Sequence, residues 1–264
     1  MRNFQQVYKM DDAFIRAVSM GTVPGWGYVR KFGSSGVGTT LTTIWSGSEE
    51  QPGLYVYPSD AGEILSIYST SSSDTSGGLG ANVIQISGLS ENKEDFQEEL
   101  ITMNGTTPVQ TTKLYSRVFR AEVIVTGDPL SNTANVGEIH IENLANTILY
   151  AHINDGGLSP GQTQMALWTL PTSYSGYYVT SMASANNDKR TSVYLYTRPD
   201  TGGVYNTPFR SKAEVKVRND IFNDSIFVFE PIPGGADFEL RGLTETGTDD
   251  VAAQFICIYH RGEL

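Results

Sequence analysis

In Ala213-Glu214-Val215-Lys216-Val217-Arg218, and again in Ala236-Asp237-Phe238-Glu239-Leu240-Arg241, every second residue is apolar and every other one is charged. A helix would scatter those charges around its axis. An extended chain puts all of them on one side, so both stretches must be strands with one covered face. The same alternation recurs in 137–141, where Ile139 and Ile141 oppose Glu138, His140 and Glu142, and in 120–126, where Ala121, Val123 and Val125 oppose Glu122, Ile124 and Thr126. Between Tyr68 and Thr112, two dense strand-like runs, 82–88 and 96–103, are separated by a polar loop, and the second stops at Asn104-Gly105. Asn-Gly is a strong turn signal because both residues tolerate positive φ. The pattern predicts an all-β, antiparallel protein.

Further strands are expected at 54–57, 63–69, 148–153, 164–170, 177–182, 192–198, 225–229 and 254–259. The spacing of roughly 10–15 residues suits two β-sandwich or jelly-roll-like modules. The expected division is an N-terminal attachment arm over 1–47, a first β module over 48–144 and a second over 145–264. Residues 69–80, with a single apolar residue at Leu79, read as a surface loop. One short helix is predicted over 12–20, with Phe14, Ile15 and Val18 on one face and Gly21 as its stop. A helix this short is marginal alone, so its apolar face must dock. Trp26, Phe32 and Trp45 are expected to anchor the arm and to make assembly contacts with it.

Composition narrows the function classes. Acidic residues outnumber basic ones by 29 to 18, a net charge of −11, which repels phosphate backbones and argues against a nucleic-acid partner. No run of 18 apolar residues occurs, so no membrane segment is expected. A single cysteine, Cys257, leaves no intramolecular disulfide, and its apolar strand makes it a small buried hydrophobe.

Motifs for catalysis are weak, and no catalytic residue, cofactor or metal is assigned. The histidines, His140, His152 and His260, lie on separate predicted strands without HxH or HxxxH spacing, which gives zinc little support. The GxSxG at 157–161 leads through Pro160-Gly161 into a strand, whereas a nucleophile elbow needs a helix there. Glu98-Glu99 and Asp249-Asp250 are adjacent pairs that point to opposite faces, unlike a glycosidase pair. Asn186-Asn187-Asp188 and Thr248-Asp249-Asp250 lack the alternate-residue spacing of a calcium loop. The glycine-rich GSSGVG at 33–38 is not followed by Lys-Ser/Thr, so it is no phosphate cradle. With Val193 and Leu195 facing the core, Tyr194, Tyr196 and Arg198 share the opposite surface, as a candidate interface or receptor-contact face.

The order of motifs carries more than any one of them. Val23-Pro24-Gly25, Lys31-Phe32-Gly33, VGTT at 37–40, TIWSG at 43–47, YVYP at 55–58, SSDTSGGLGA at 72–81, ISGL at 86–89 and MNGTTPVQTT at 103–112 follow one another. This succession resembles a group of uncharacterised virion structural proteins of tailed phages, of the marine phage and cyanophage type, over about residues 21–142. It is looser beyond, at Thr169-Leu170-Pro171 and Tyr196-Thr197-Arg198-Pro199. Where the family has Ala-Gly-Thr-Gly-Ala-Arg, this chain has Gly77-Gly78-Leu79-Gly80-Ala81-Asn82. The resemblance implies a non-enzymatic particle component in the virion, assembled in the host cytoplasm, with other virion proteins as partners. It carries over no catalytic residue and does not fix a place on the particle. A capsid decoration (cement or head-spike) protein held by its arm is expected, with a tail-apparatus or receptor/carbohydrate-binding subunit as the alternative. Symmetric homo-oligomers are the norm for such components, and a trimer is expected, although no residue specifies it.

Overall fold

The structure, a computed structural model, describes residues 12–128, 133–155, 161–202, 207–218, 221–224 and 230–262. Among the described residues one α-helix, α1 (Asp12–Ser19), precedes seventeen strands, with a single 3-10 turn at Glu91–Lys93. In chain order these are β1 (Trp26–Val37), β2 (Thr42–Thr43), β3 (Leu65–Ser69), β4 (Ala81–Leu89), β5 (Phe96–Thr102), β6 (Val109–Gln110), β7 (Arg117–Thr126), β8 (Ile139–Asn143) and β9 (Leu149–Ile153). They continue with β10 (Leu167–Thr169), β11 (Tyr174–Ala185), β12 (Thr191–Arg198), β13 (Arg210–Val217), β14 (Ile221–Asp224), β15 (Glu230–Ile232), β16 (Asp237–Thr244) and β17 (Asp249–Arg261). The all-β expectation holds, with one short N-terminal helix. No helix among the described residues is long and apolar enough to cross a membrane.

The strands form four sheets. One has the order β1-β17-β11, with β14 and β15 both on β11, and a second has β10-β16-β12-β13, with β2 also on β16. Val37, Ile44, Trp168, Leu195, Leu240 and Phe255 fill the core between these two. The third sheet runs β6-β3-β8-β9 and the fourth β5-β4-β7. Their shared core is built on Trp45, Ile67, Ile84, Ile86, Tyr115, Ile141 and Ile153. β12 and β17 alternate buried and more exposed positions, as strands with one side on a core do, whereas β9, β10 and β16 are buried along nearly their whole length.

The chain's path differs from the expected division. β1 pairs antiparallel with β17 from Trp26↔His260 to Val37↔Asp249, and β2 pairs with β16, so 26–43 is part of the C-terminal sheets rather than a detached arm. The chain then leaves to build β3–β9 and returns with β10. The expected boundary at 144/145 falls inside the β8–β9 hairpin, whose strands are paired from Ile139↔Ile153 onward. The glycine-rich GSSGVG at 33–38 lies within β1, where a Cβ at Gly33 would collide with the Ile44 carbonyl oxygen and the Ala166 backbone nitrogen. The glycine serves close strand packing, not a turn.

One further expectation changes, and the 69–80 surface loop, which is present, gains a buried anchor. Residues 54–57 form no strand; Tyr55 is buried there, donating its N–H to Thr43 Oγ1 and its hydroxyl to the Tyr150 carbonyl. The 69–80 loop is pinned from within by fully buried Asp74. Its carboxylate accepts from Ser69 Oγ at 2.6 Å, Ala81 N at 2.7 Å, Val136 N at 2.9 Å and Gly137 N at 2.8 Å. The expected strand at 225–229 lies outside the described residues.

Candidate functional site

On β16, Phe238 and Leu240 enter the C-terminal core, which turns Asp237, Glu239 and Arg241 to the other side. Alternation alone would place this charged row in water. Instead, the Tyr55–Pro58 segment and Arg117 of β7 lie over it, and all three residues are buried. Charges removed from water must find partners at once, because an unpaired buried ion costs several kcal/mol.

Asp237 is the hub. Arg117 donates Nε to its Oδ1 at 2.7 Å and Nη2 to its Oδ2 at 3.2 Å. Arg198 donates Nε and Nη2 to Oδ2 at 2.8 and 2.6 Å, and Thr169 Oγ1 donates to Oδ1 at 2.6 Å. Arg117 also pairs with Asp60 at 2.8 Å, while buried Lys93 bridges Asp60 and Asp200 at 3.2 and 3.4 Å. Glu239 binds Arg241 and accepts from Thr43 Oγ1 at 3.2 Å and from the Tyr57 hydroxyl at 3.4 Å. Aromatic faces complete the lining. Arg198 lies 5.0 Å from the Tyr57 centroid and 4.6 Å from that of Phe209, and Arg241 lies 4.2 Å from Tyr196 and 4.5 Å from Phe209. Tyr57, Lys93, Arg117, Arg198, Asp237 and Arg241 line a cleft of 720 Å³.

The two carboxylates of β16 respond oppositely to this setting. Burial would raise the pKa of Asp237, but Arg117, Arg198 and Lys93 together hold it below the ordinary carboxylate range. At Glu239 burial prevails over Arg241 and Thr43, and its pKa is raised. Burial, and then Glu239, push the Tyr57 hydroxyl well above its usual value. Four cations (Lys93, Arg117, Arg198, Arg241) stand among four carboxylates (Asp60, Asp200, Asp237, Glu239). Such a mutually satisfied set fixes two layers against each other.

The residues expected at functional surfaces are distributed differently. Tyr194 and Tyr196 are half-exposed neighbours with ring centroids 6.0 Å apart. Arg198 shares their face, but its guanidinium is committed inward to Asp237 and is not a free contact group. In the N-terminal stretch, Val18 is buried and Ile15 half-buried. Phe14 meets Trp26 edge-on at 5.1 Å, and Trp26 in turn packs on Tyr177 at 6.3 Å and His260 at 4.6 Å. The helix thus docks on its own body. Phe32 is half-buried on β1, opposite Gln254. Trp45 is fully buried in the β3–β9 core and is no assembly contact.

Of the loops considered for calcium, Asp249 accepts from Asn187 N at 2.9 Å and from Thr191 Oγ1 at 2.8 Å, closing a turn. Cys257 is buried, and burial pushes its thiol pKa up. Residues 157–160 of the GxSxG lie outside the described residues. The histidines correct the sequence reading most: His140 and His152, which local spacing kept apart, are directly opposite on β8 and β9. A hairpin reading of the Asn143–Asn146 turn, where Asn146 has φ +52°, would have paired them. Placing a module boundary there hid the pair.

No family model matches the chain, and no curated protein matches it. Among solved structures, it is similar to a chain of the infectious bursal disease virus Gx strain, at 9% identity over 94% of this chain and 76% of that one, with a TM-score of 0.21. A Gt strain chain is similar at 10% identity over 95% and 83%, with a TM-score of 0.16. A chain of the VP2 subviral particle of that virus gives 11% identity over 95% and 82%, with a TM-score of 0.15. Likenesses at these scores carry no argument about what this chain does.

Proposed function

We propose that the protein is a non-enzymatic structural component of a tailed-phage virion, a decoration protein of the capsid exterior that partners the major capsid protein. The observation that carries this reading is the ordered run of motifs over 21–142, together with the positions those motifs occupy. Gly33 admits a close strand crossing, Trp45 fills a core with Gly47 against its ring, and Asp74 organises its loop. Leu89 lies in a core and Thr111 Oγ1 accepts the Leu65 N–H. Motifs of this kind specify a framework, which supports a shared architecture over chance likeness of composition. The cleft agrees with a scaffold, since its charges are taken up by one another.

Attachment is assigned to the N-terminal segment ahead of β1. A second reading, a receptor- or carbohydrate-binding tail subunit, is favoured by half-exposed Tyr194 and Tyr196, with the Arg241 guanidinium against the Tyr196 ring. Quantitative mass spectrometry of purified virions, comparing intact particles with tail-less heads, separates the two. Hundreds of copies kept on the heads support decoration. A few to a few dozen copies lost with the tails support the tail reading, and absence from the particle overturns both.

A further inference from the structure

His140 and His152 face each other across the β8–β9 ladder, their ring centroids 5.0 Å apart and nearly perpendicular. Both are buried, and the Nε2 atoms of both lack any hydrogen-bond partner. Glu138, two residues before His140 and therefore on the same face, brings Oε2 to 3.6 Å from His140 Nε2 and 3.9 Å from His152 Nε2.

The far side of each ring is held as well. His152 Nδ1 lies 3.1 Å from the Ser46 carbonyl oxygen, which can only accept, so the proton sits on Nδ1 and the Nε2 lone pair points at Glu138. Ser46 Oγ returns a hydrogen bond to the His152 carbonyl at 2.6 Å, locking the ring's backbone. His140 Nδ1 lies 3.4 Å from Glu142 Oε1, and the Tyr68 hydroxyl holds that same oxygen at 3.1 Å. Tyr68 also stacks on the His140 ring at 5.1 Å.

Two buried nitrogen lone pairs converging beside one carboxylate oxygen are costly without a cation between them. An acceptor behind each ring is the arrangement that orients metal-ligating imidazoles. We propose that Glu138, His140 and His152 form a binding site for a divalent first-row transition-metal ion, with zinc as the best fit to two imidazoles and a carboxylate. The three donor atoms lie within 4.8 Å of one another. A tetrahedral zinc needs them about 3.3 Å apart, so small side-chain rotations close the set. Three protein ligands leave one position for water. The ion would clip β9, the edge strand of its sheet, to β8. This inference does not depend on the virion reading.

The test is calorimetric titration of untagged, chelator-stripped protein with Zn²⁺ alone, followed by Co²⁺ as a visible-absorption probe. The expected result is one equivalent bound and a raised thermal midpoint. Glu138→Gln, at a partly exposed position that leaves the fold intact, should weaken binding at least tenfold. Glu142→Gln should weaken it about tenfold by freeing the His140 ring. His152→Ala should abolish the Co²⁺ absorption, while His260→Ala, at the remaining histidine, should change nothing. No saturable zinc binding to the unmodified protein, or binding by Glu138→Gln equal to it, overturns the proposal.

Discussion

Two single residues set much of the molecule's response to pH and substitution. Arg117 is the principal partner of buried Asp237, so Arg117→Met should lower stability by about 3 kcal/mol, read from the urea midpoint, because the buried carboxylate keeps only Arg198 and Thr169 and Asp60 loses a partner as well. Asp237 has a lowered pKa, so its contribution is present above the ordinary value of 3.8 and is lost as pH falls below it. Lys31 shifts stability in the same direction with pH but in a higher window, because its charged form costs stability where that of Asp237 contributes it. Burial, and then Arg120, lower its pKa from 10.5 to about 7, and its ammonium donates to the Phe119 carbonyl. Between pH 7 and 10.5 the unfolded chain holds a proton that the folded one has shed, so stability rises through that window. Lys31→Met should therefore stabilise the protein by roughly 2 kcal/mol at pH 6 and flatten the rise, as measured by urea melts across pH. Neither effect is visible in sequence. Lys31 sits in a polar-looking KFG, and Asp237 in a strand whose charged side had every reason to be wet.

At the scale of elements, the strands that alternate cleanly were legible, because period-two patterning is a local property. β1 was not, because its Gly33 reports what packs on it from Ile44 and Ala166, distant or looped segments that no window contains. This bears on the N-terminal stretch. Its sequence suggests an arm removable back to residue 47 with the body left folded, yet residues 26–37 pair along the whole of β17's inner length and Trp45 sits in a core. Deletion of 1–47 should leave insoluble or unfolded protein. Deletion of 1–21 should keep the native circular dichroism spectrum, expose Trp26 to a fluorescence quencher, and fail to join particles. Normal incorporation of the shorter truncation would remove the attachment role.

For the molecule as a whole, the two cores are separate in space but not in the chain. Leu167 belongs to one and Trp168 to the other, and the Arg117–Asp237 pair ties them across buried surface. A single cooperative transition is expected. Variants carrying Trp26→Phe with either Trp45→Phe or Trp168→Phe, each left with the tryptophan of one core, should melt at the same denaturant concentration as the far-ultraviolet signal, and two separated midpoints would contradict this. Such interleaving leaves no compositional mark, which is why a division into consecutive modules was the natural sequence reading. It also gives the molecule a timetable. Arg30 meets Gln254 across 224 residues, and at about 5–20 residues per second a ribosome needs roughly 10–45 s to deliver the second after the first. Through that interval β1 is a bare edge with nothing to zip onto, since its neighbour β17 follows every other described strand in the chain. A chain cut short anywhere before residue 249 would therefore yield not a smaller working protein but a sticky one, with β1 left unpaired.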